Sequence, residues 1–341
     1  MGGGDLEHDG DDARLQRREL RPHEEDLGTL KRVPLGRTSL RVTQLGLGSA
    51  PLGGLFEAVT DDEAHRTVEA AWAAGIRLYD TAPLYGSGLA ERRLGAVLRA
   101  KPRDEYVLMT KVGRLLRADA PPDPDQSFKG TPPLNPVFDF SYDGVMRSVE
   151  ESLERLDLDR VDVLLIHDPD DHHDEALSGA FRALDRLRSE GSIKAVGAGM
   201  NQAEMLARFA REATFDTFLL AGRYTLLDRG GATELLPLCL ELGIGVVAGG
   251  VFNSGILANP DAQPRFNYRP APAALVRRAR ELKSICKRRG VDIKAAALQF
   301  PLRHPAMAAV LIGPRSVAQL EENVQLFETE IPEDLWKELD A

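Results

Sequence analysis

From residue 32 onward, short apolar runs alternate with longer segments in which apolar residues recur every three or four positions. Short apolar runs are typical of buried strands, and the longer spacing is typical of amphipathic helices. Their alternation predicts repeated strand and helix units and therefore a parallel sheet. The eight predicted strands are Gln44 to Leu47, Arg77 to Asp80, Tyr106 to Thr110, Val161 to Ile166, Ile193 to Gly197, Thr217 to Ala221, Gly245 to Val247 and Ala309 to Ile312.

The segments between these strands carry Leu, Ala or Val at helical spacing. They are Glu63 to Ala74, Ala90 to Arg99, Tyr142 to Leu156, Glu175 to Glu190, Ala203 to Arg211, Thr233 to Leu242 and Ala273 to Arg289. Eight strands separated by helices are the components of a closed barrel. The predicted fold class is therefore α/β, a (β/α)8 TIM barrel.

The N-terminal part of the chain differs from this pattern. Residues 1–30 are rich in Gly, Asp, Glu and Arg and poor in large apolar side chains, which predicts a disordered leader. Residues 31–341 then form the barrel domain. Alternating Val33, Leu35, Leu40 and Val42 around a turn predict a β-hairpin that plugs one end of the barrel.

Two connections are much longer than the rest. They cover residues 112–141, after the third strand, and residues 251–271, after the seventh. Long loops in a compact domain are usually functional or disordered. Since both follow strands, both are expected on the C-terminal rim, where barrel enzymes keep their sites. The alternative, variable surface decoration, stays open.

Composition narrows the class of protein. The 341 residues carry a net charge of −10, which repels phosphate backbones and anionic lipid, so no nucleic acid partner is expected. Neither a secretory signal nor an apolar run of about 18 residues is present, so we expect a soluble protein without a membrane partner. Only two cysteines occur, without the spacing of a disulfide framework, which favours the cytoplasm. The oligomeric state is left open.

Three ionisable residues occupy equivalent positions in the predicted barrel. Asp80, Lys111 and His167 lie at the ends of the second, third and fourth strands, and Tyr85 follows Asp80 by one turn. Parallel strand ends converge on one rim, so these side chains are predicted to share a pocket. Each alone has an ordinary structural explanation, such as a helix cap, a solvated lysine or a packing aromatic. Their combination has the composition that carbonyl or alcohol redox chemistry requires.

The chemistry depends on proton transfer at Tyr85. A tyrosine hydroxyl has a pKa near 10 and is a poor base unaided. An ammonium about 4 Å away stabilises its ionised form by on the order of 4 kcal/mol before desolvation is subtracted. We therefore expect Lys111 to lower the pKa of Tyr85, Asp80 to keep Lys111 charged, and His167 to orient the substrate oxygen or relay the proton.

The same residues resemble the aldo-keto reductase family. The matching segments are residues 80–86 (DTAPLYG), 107–111 (VLMTK), 162–168 (DVLLIHD), 313–316 (GPRS) and 319–323 (QLEEN). The resemblance covers nearly everything from Arg32 to the C-terminus. It implies that Asp80, Tyr85, Lys111 and His167 are the catalytic set and that the last two segments hold the adenosine end of a nicotinamide cofactor, NAD or NADP.

Further segments are similar to the sugar dehydrogenase branch of that family. These are residues 140–143 (FSYD), 167–170 (HDPD), 222–228 (GRYTLLD) and 249–255 (GGVFNSG). The resemblance implies oxidation of the anomeric hydroxyl of an aldose, of the L-fucose or D-arabinose type, to a lactone. Arg114, Phe138, Phe140 and Tyr224 are candidates for choosing the sugar.

The cofactor-binding residues predicted from this resemblance are Asn201, Phe252, Ser254, Gly313, Arg315, Gln319 and Asn323. Asn201 and Phe252 stand in for residues that hold the carboxamide in many family members, because this chain has Gly199-Met200, Ala221 and Gly249 at the usual positions. Arg315 suits a 2′-phosphate, whereas Gln319 replaces an arginine of NADP-selective relatives, so NAD is slightly favoured over NADP. No metal site is predicted.

Other functions remain open at this point. A broad aldehyde or ketone reductase and a pyridoxal dehydrogenase are possible on the same barrel. A regulatory subunit that senses a nucleotide without turnover is a candidate of another class, although the intact catalytic set argues against it.

Overall fold

The computed structural model describes Met1, residues 30–122 and residues 127–340. Within them, eight parallel strands close into a barrel in chain order. The strands are β1 (Leu45–Gly48), β2 (Leu78–Asp80), β3 (Val107–Val112), β4 (Val163–His167), β5 (Ala195–Met200), β6 (Thr217–Ala221), β7 (Gly245–Gly249) and β8 (Met307–Ile312). The predicted fold class is confirmed.

Each predicted strand overlaps an observed one, and the differences lie at the ends. The third strand continues to Val112, so Lys111 lies inside β3 rather than after it. The fifth begins at Ala195 and continues to Met200. The register sets Asp80 opposite Met109, Lys111 opposite Leu165 and His167 opposite Gly199. The predicted site residues therefore lie on neighbouring strands near one rim.

The helices pack around the barrel. They are α1 (Asp61–Ala73), α2 (Leu89–Leu98), α3 (Tyr142–Leu156), α4 (residues 173–189), α5 (Ala203–Glu212), α6 (Leu235–Leu242), α7 (Ala273–Arg288), α8 (Ile293–Gln299), α9 (Val317–Phe327) and α10 (Glu333–Asp340). Within α4, the stretch Ala176–Phe181 is π-helical. The sequence pattern did not predict α8, which is inserted between α7 and β8.

Alternation along the strands builds two apolar layers. Inward side chains such as Met109, Leu165 and Leu311 fill the barrel, and outward ones such as Leu108 and Leu164 pack against the helices. A separate core lies under α7, α8 and α10 and includes Leu282, Phe300 and Trp336. The C-terminal helices are therefore fixed to the barrel by burial.

The predicted hairpin is present, with Arg32–Pro34 paired antiparallel to Arg41–Thr43. Leu35, Leu40 and Val42 are buried in the cluster that fills the barrel. At the tip, Gly36 has a φ of 56°, and a Cβ there would lie 2.5 Å from the backbone nitrogen of Gly245 at the start of β7. The hairpin therefore closes the N-terminal end of the barrel, opposite the rim. The predicted disordered leader lies outside the described residues, apart from Met1 and Leu30.

The two long loops contain short hairpins of their own. In the first, Arg114–Arg117 pairs with Asn135–Phe138, and Phe128 bridges to Leu55. In the second, Arg265–Phe266 pairs with Arg269–Pro270. Both loops leave the C-terminal ends of their strands, β3 and β7, as predicted. Among the described helices, none has the length and apolar character needed to cross a membrane.

Candidate active site

The four predicted catalytic residues lie together at the C-terminal rim. Asp80 ends β2, Lys111 lies near the end of β3, His167 ends β4, and Tyr85 lies in the turn after β2. Lys111 and Asp80 are 1% and 2% exposed, and His167 is also buried, whereas Tyr85 is partly exposed. Tyr85 is therefore the member of the set that faces the solvent-filled space.

Lys111 joins the set through its ammonium group. Its Nζ donates to both carboxylate oxygens of Asp80 at 2.8 Å, to the carbonyl of Thr81 at 2.9 Å and to the hydroxyl of Tyr85 at 3.0 Å. A buried charge is tolerated only when it is paired and hydrogen-bonded. Asp80 supplies the ion pair, and the carbonyl of Thr81 and the hydroxyl of Tyr85 accept the other hydrogen bonds of the ammonium.

The turn that carries Tyr85 is fixed by backbone contacts. The amide of Gly88 donates to the carbonyl of Pro83 at 2.8 Å, and that of Tyr85 to Ala82 at 3.1 Å. Gly86 has a φ of 65°, and a Cβ there would lie 2.2 Å from the carbonyl oxygen of Gly53. The turn therefore requires glycine after the tyrosine, because the loop after β1 passes against it.

The rings of Tyr85 and His167 meet edge to face, with centroids 5.7 Å apart. Burial, followed by the charges of Arg114 and Lys111, holds the pKa of His167 well below its ordinary value. His167 is therefore neutral at physiological pH. Its buried Nδ1 has no partner among the described residues. A neutral imidazole beside the phenol suits hydrogen bonding to a substrate oxygen.

The expected lowering of the Tyr85 pKa is not what the structure shows. Burial raises the pKa of Tyr85 well above its ordinary value, and the charges of Asp80, Tyr268 and Asp168 raise it further. The prediction set aside the desolvation of the phenol and the effect of the Asp80 charge on it. In the structure the carboxylate of Asp80 neutralises the Lys111 ammonium, so desolvation of the phenol dominates.

A large cavity opens beside the catalytic set. It has a volume of about 710 Å³ and reaches from Asp80 and Tyr85 to the N-terminal part of α9. All seven predicted cofactor-binding residues line it. They are Asn201, Phe252, Ser254, Gly313, Arg315, Gln319 and Asn323. Residues from three loops and one helix thus meet in one cavity.

The end of the cavity at α9 offers donors to an anion. Ser316 caps α9 by accepting from the amide of Gln319 at 3.3 Å, and helix N-termini favour negative charge. The Arg315 Nη2 donates to the carbonyl of Leu55 at 3.2 Å, while its buried Nε has no partner among the described residues. Gln319 accepts from the Arg315 amide at 2.9 Å. This end fits the phosphate-bearing adenosine half of a nicotinamide cofactor.

Several lining residues were missed in the sequence. Lys294 on α8 forms an ion pair with Glu322 on α9. Tyr268 packs against Phe56 with ring centroids 6.0 Å apart, and its amide donates to the hydroxyl of Ser254 at 3.0 Å. No local motif marked them, because α8 was not predicted and the Phe56 contact spans more than 200 residues of chain.

The candidate sugar-selecting residues separate into two groups. Arg114 donates to Asp168 at 3.1 Å, beside His167, and its guanidinium lies 4.5 Å from the ring of Phe138. Phe140 is buried, and Tyr224 packs against Phe300 with centroids 5.0 Å apart. None of these four residues lines the cavity. Tyr224 packs against both the barrel core and the separate core under α7, α8 and α10.

Comparisons with known proteins agree with this geometry. Residues 44–341 match the model of the aldo/keto reductase family. The chain is 47% identical to a D-threo-aldose 1-dehydrogenase from Pseudomonas sp over 308 residues, which are 88% of this chain and 94% of the relative. It is 45% identical to a pyridoxal 4-dehydrogenase from Microbacterium luteolum, with 89% and 95% covered.

A solved aldo-keto reductase from Bacillus halodurans, in its holo form, superimposes with a TM-score of 0.74 at 26% identity, covering 91% of this chain and 95% of that one. The relatives thus share the fold over nearly the whole barrel. The chain is a member of the aldo/keto reductase family and an NAD(P)-dependent oxidoreductase.

Proposed function

We propose that this enzyme oxidises the anomeric hydroxyl of an aldose in its cyclic hemiacetal form and releases a lactone. The observation that carries the proposal is the Lys111 ammonium, which bridges Asp80 and the Tyr85 hydroxyl in the wall of a cavity large enough for a cofactor and a small substrate. The two most similar relatives described above are named for oxidation at an aldehyde-level carbon. Both an aldose and pyridoxal can close into a cyclic hemiacetal, since each has an aldehyde and a hydroxyl within reach.

A bound nicotinamide supplies the acceptor for the hydride that leaves C1 and, in its oxidised form, a positive charge. The phenolate form of Tyr85 takes the proton from the C1 hydroxyl and becomes a phenol, while the C1–H and O–H bonds break and a C=O bond forms. Lys111 stabilises the phenolate by its hydrogen bond at 3.0 Å. His167, neutral and beside the phenol, donates to the substrate oxygen and orients it.

The cofactor is held by residues of this chain that line the cavity. Arg315 and the N-terminus of α9 face the phosphate-bearing end, Asn323 and Gln319 the adenosine, and Asn201 and Phe252 the carboxamide. We propose NAD over NADP, because Glu322 neutralises Lys294 and leaves Arg315 as the lone uncompensated cation among the described lining residues. A 2′-phosphate would need more than one such partner.

The reverse reaction, reduction of an aldehyde or ketone, is the second candidate. It is favoured by the raised pKa of Tyr85, since a phenol that holds its proton is a better donor than acceptor. A positively charged nicotinamide, if bound in the cavity, would lower the pKa of Tyr85 and so favour proton acceptance. Both directions therefore use the same four residues, and the cofactor's redox state selects between them.

The test is a substrate screen on the purified protein. Aldoses and pyridoxal are offered with NAD or NADP, aldehydes and ketones with the reduced cofactors, and absorbance of the reduced cofactor is followed. We expect faster oxidation of an aldose than reduction of any carbonyl at saturating cofactor. Faster reduction across the panel would favour the second candidate, and no turnover in either direction would contradict both.

We propose a cytoplasmic location, which agrees with two buried, free cysteines.

A further inference from the structure

A second polar group lies beside the catalytic set and has no part in the proton transfer. Asp168 follows His167 in the chain, and one of its carboxylate oxygens lies 3.5 Å from the His167 Nε2. The same oxygen accepts from the Nη2 of Arg114 at 3.1 Å. We infer that Asp168, held by Arg114, binds a hydroxyl on a carbon next to the reacting carbon and so selects a neutral polyol as substrate. This inference rests on the proposed function.

The backbone at Asp168 is fixed in an unfavourable conformation. Its φ is 41°, in the left-handed region that a residue with a Cβ rarely adopts, and its amide donates to the carbonyl of Gly199 on β5 at 3.0 Å. Strained backbone of this kind persists where the surrounding structure over-determines it, and it clusters at functional sites. In this conformation the carboxylate contacts Arg114 and lies beside His167.

The carboxylate keeps capacity for a ligand. One oxygen is engaged by Arg114, and the other has no recorded partner among the described residues. About a third of the side chain is exposed. Burial raises the pKa of Asp168 to about 6, and the carboxylate in turn raises the pKa of both Tyr85 and Tyr268. The group is therefore only partly exposed, close to the reacting phenol, and able to accept one more hydrogen bond.

Arg114 contributes a complementary donor and a rigid wall. Its Nε is buried and has no partner among the described residues. Its guanidinium lies over the ring of Phe138, and Phe128 lies 6.1 Å from Tyr85 between ring centroids. The unpartnered oxygen of Asp168, beside a guanidinium that lies over an aromatic ring, suits a hydroxyl on a sugar ring. Because the two charges neutralise each other, the pair favours a neutral polyol over a phosphorylated or acidic sugar.

The experiment compares a sugar with its deoxy analogues. The best aldose of the screen, its 2-deoxy and its 3-deoxy forms are assayed with wild type, Asp168→Asn and the matched control Asp170→Asn. A hydrogen bond to a charged group is lost with one hydroxyl, so wild type should discriminate against one analogue by about 10- to 100-fold in kcat/KM. We expect Asp168→Asn to reduce that ratio to within about threefold and Asp170→Asn to keep it.

Thermal unfolding confirms that each variant is folded. Should turnover of Asp168→Asn be too slow, the same ratio is taken from calorimetric binding of the parent and deoxy sugars to the cofactor-loaded enzyme. An unchanged ratio in Asp168→Asn would overturn this inference while leaving the aldose dehydrogenase proposal intact. A wild type that oxidises no aldose would instead remove the proposed function on which the inference depends.

Discussion

Two neighbouring residues of β3, Thr110 and Lys111, each contact a buried carboxylate, and the two carboxylates have different roles. Thr110 points outward, and its hydroxyl donates to Glu91 on α2 at 2.8 Å. Lys111 points inward to Asp80. Successive side chains of a strand face opposite sides of the sheet, so one strand presents one residue to each layer. Both carboxylates are buried and both are paired with a cation, since Arg155 donates to Glu91 at 2.6 Å.

The two ion pairs differ in what else the cation contacts. Arg155 donates to Glu91 and to the hydroxyl of Ser152 at 3.0 Å, so it ties α2 to α3 and does not line the cavity. Lys111 holds Asp80 and still donates to a phenol that faces the cavity. A buried ion pair alone therefore does not mark an active site. A buried cation that also donates to a titratable hydroxyl at a cavity does mark one.

The largest effect is expected for Tyr85→Phe, which removes the hydroxyl that Lys111 contacts. Positioned acid–base groups contribute about 10²- to 10⁴-fold, so kcat should fall by about 10³-fold. Cofactor affinity, measured by fluorescence titration, should stay unchanged because the ring remains. Full activity in the aldose screen would show that Tyr85 is not the proton acceptor.

Next is Glu91→Gln, which breaks the ion pair on the outer face. Loss of one partner of a buried pair leaves an uncompensated charge and typically costs 3 kcal/mol or more, so the free energy of unfolding should fall by about 3 kcal/mol. Urea unfolding measures it, and kcat should change by less than about threefold. A fall in kcat of more than about threefold would mean that the pair of Glu91 and Arg155 takes part in the chemistry.

Asp168 is an intermediate case, partly exposed and paired with Arg114. Its pKa is raised to about 6 from 3.8, so the folded protein binds this proton more tightly than the unfolded chain. Ionisation of Asp168 therefore destabilises the fold as the pH rises from about 4 to about 6, and the full cost is present above that range.

An asparagine at this position cannot ionise. Asp168→Asn should therefore be more stable than wild type at about pH 8, by on the order of 2 kcal/mol, and no more stable at about pH 4. Thermal unfolding across this range measures the difference. Equal stability of the two proteins at every pH would show that the carboxylate is better solvated than its contacts indicate.

The smallest effect is expected for Thr110→Val, which removes the hydroxyl from Glu91 but keeps the ion pair and the shape. The loss of one buried hydrogen bond costs about 1 kcal/mol of stability, and kcat should not change. The matched inward-facing change, Lys111→Met, should lower kcat by about 10²-fold, less than Tyr85→Phe does. If both variants had the same activity, the two faces of β3 would not be functionally distinct.

Much of this could be predicted from the sequence. Short apolar runs between segments of helical spacing predicted every barrel strand. Because the ends of parallel strands meet at one rim, Asp80, Lys111 and His167 were predicted to lie together. Tyr85 was predicted to join them because it follows Asp80 by one turn of the chain. These predictions needed only local patterns and the topology of the barrel.

Quantities that depend on three-dimensional packing could not be predicted. Glu91 lay within a predicted helix, but its partner Arg155 is 64 residues away and carries no local signal. The direction of the Tyr85 pKa shift was wrong, because desolvation and the neutralising effect of Asp80 depend on burial. The missed helix α8 has only seven residues, which is too short for helical apolar spacing to identify it.

The hairpin at the N-terminal end of the barrel has a practical consequence for handling the protein. Leu30 lies beside Gly75 at the end of α1, on the side opposite the cavity. An affinity tag, a fluorescent protein or a surface-attachment peptide joined directly to residue 30, in place of residues 1–29, therefore enters the fold away from the cavity. Immobilisation through such a tag would leave the rim facing the solution, whereas attachment near residues 265–270 would obstruct it.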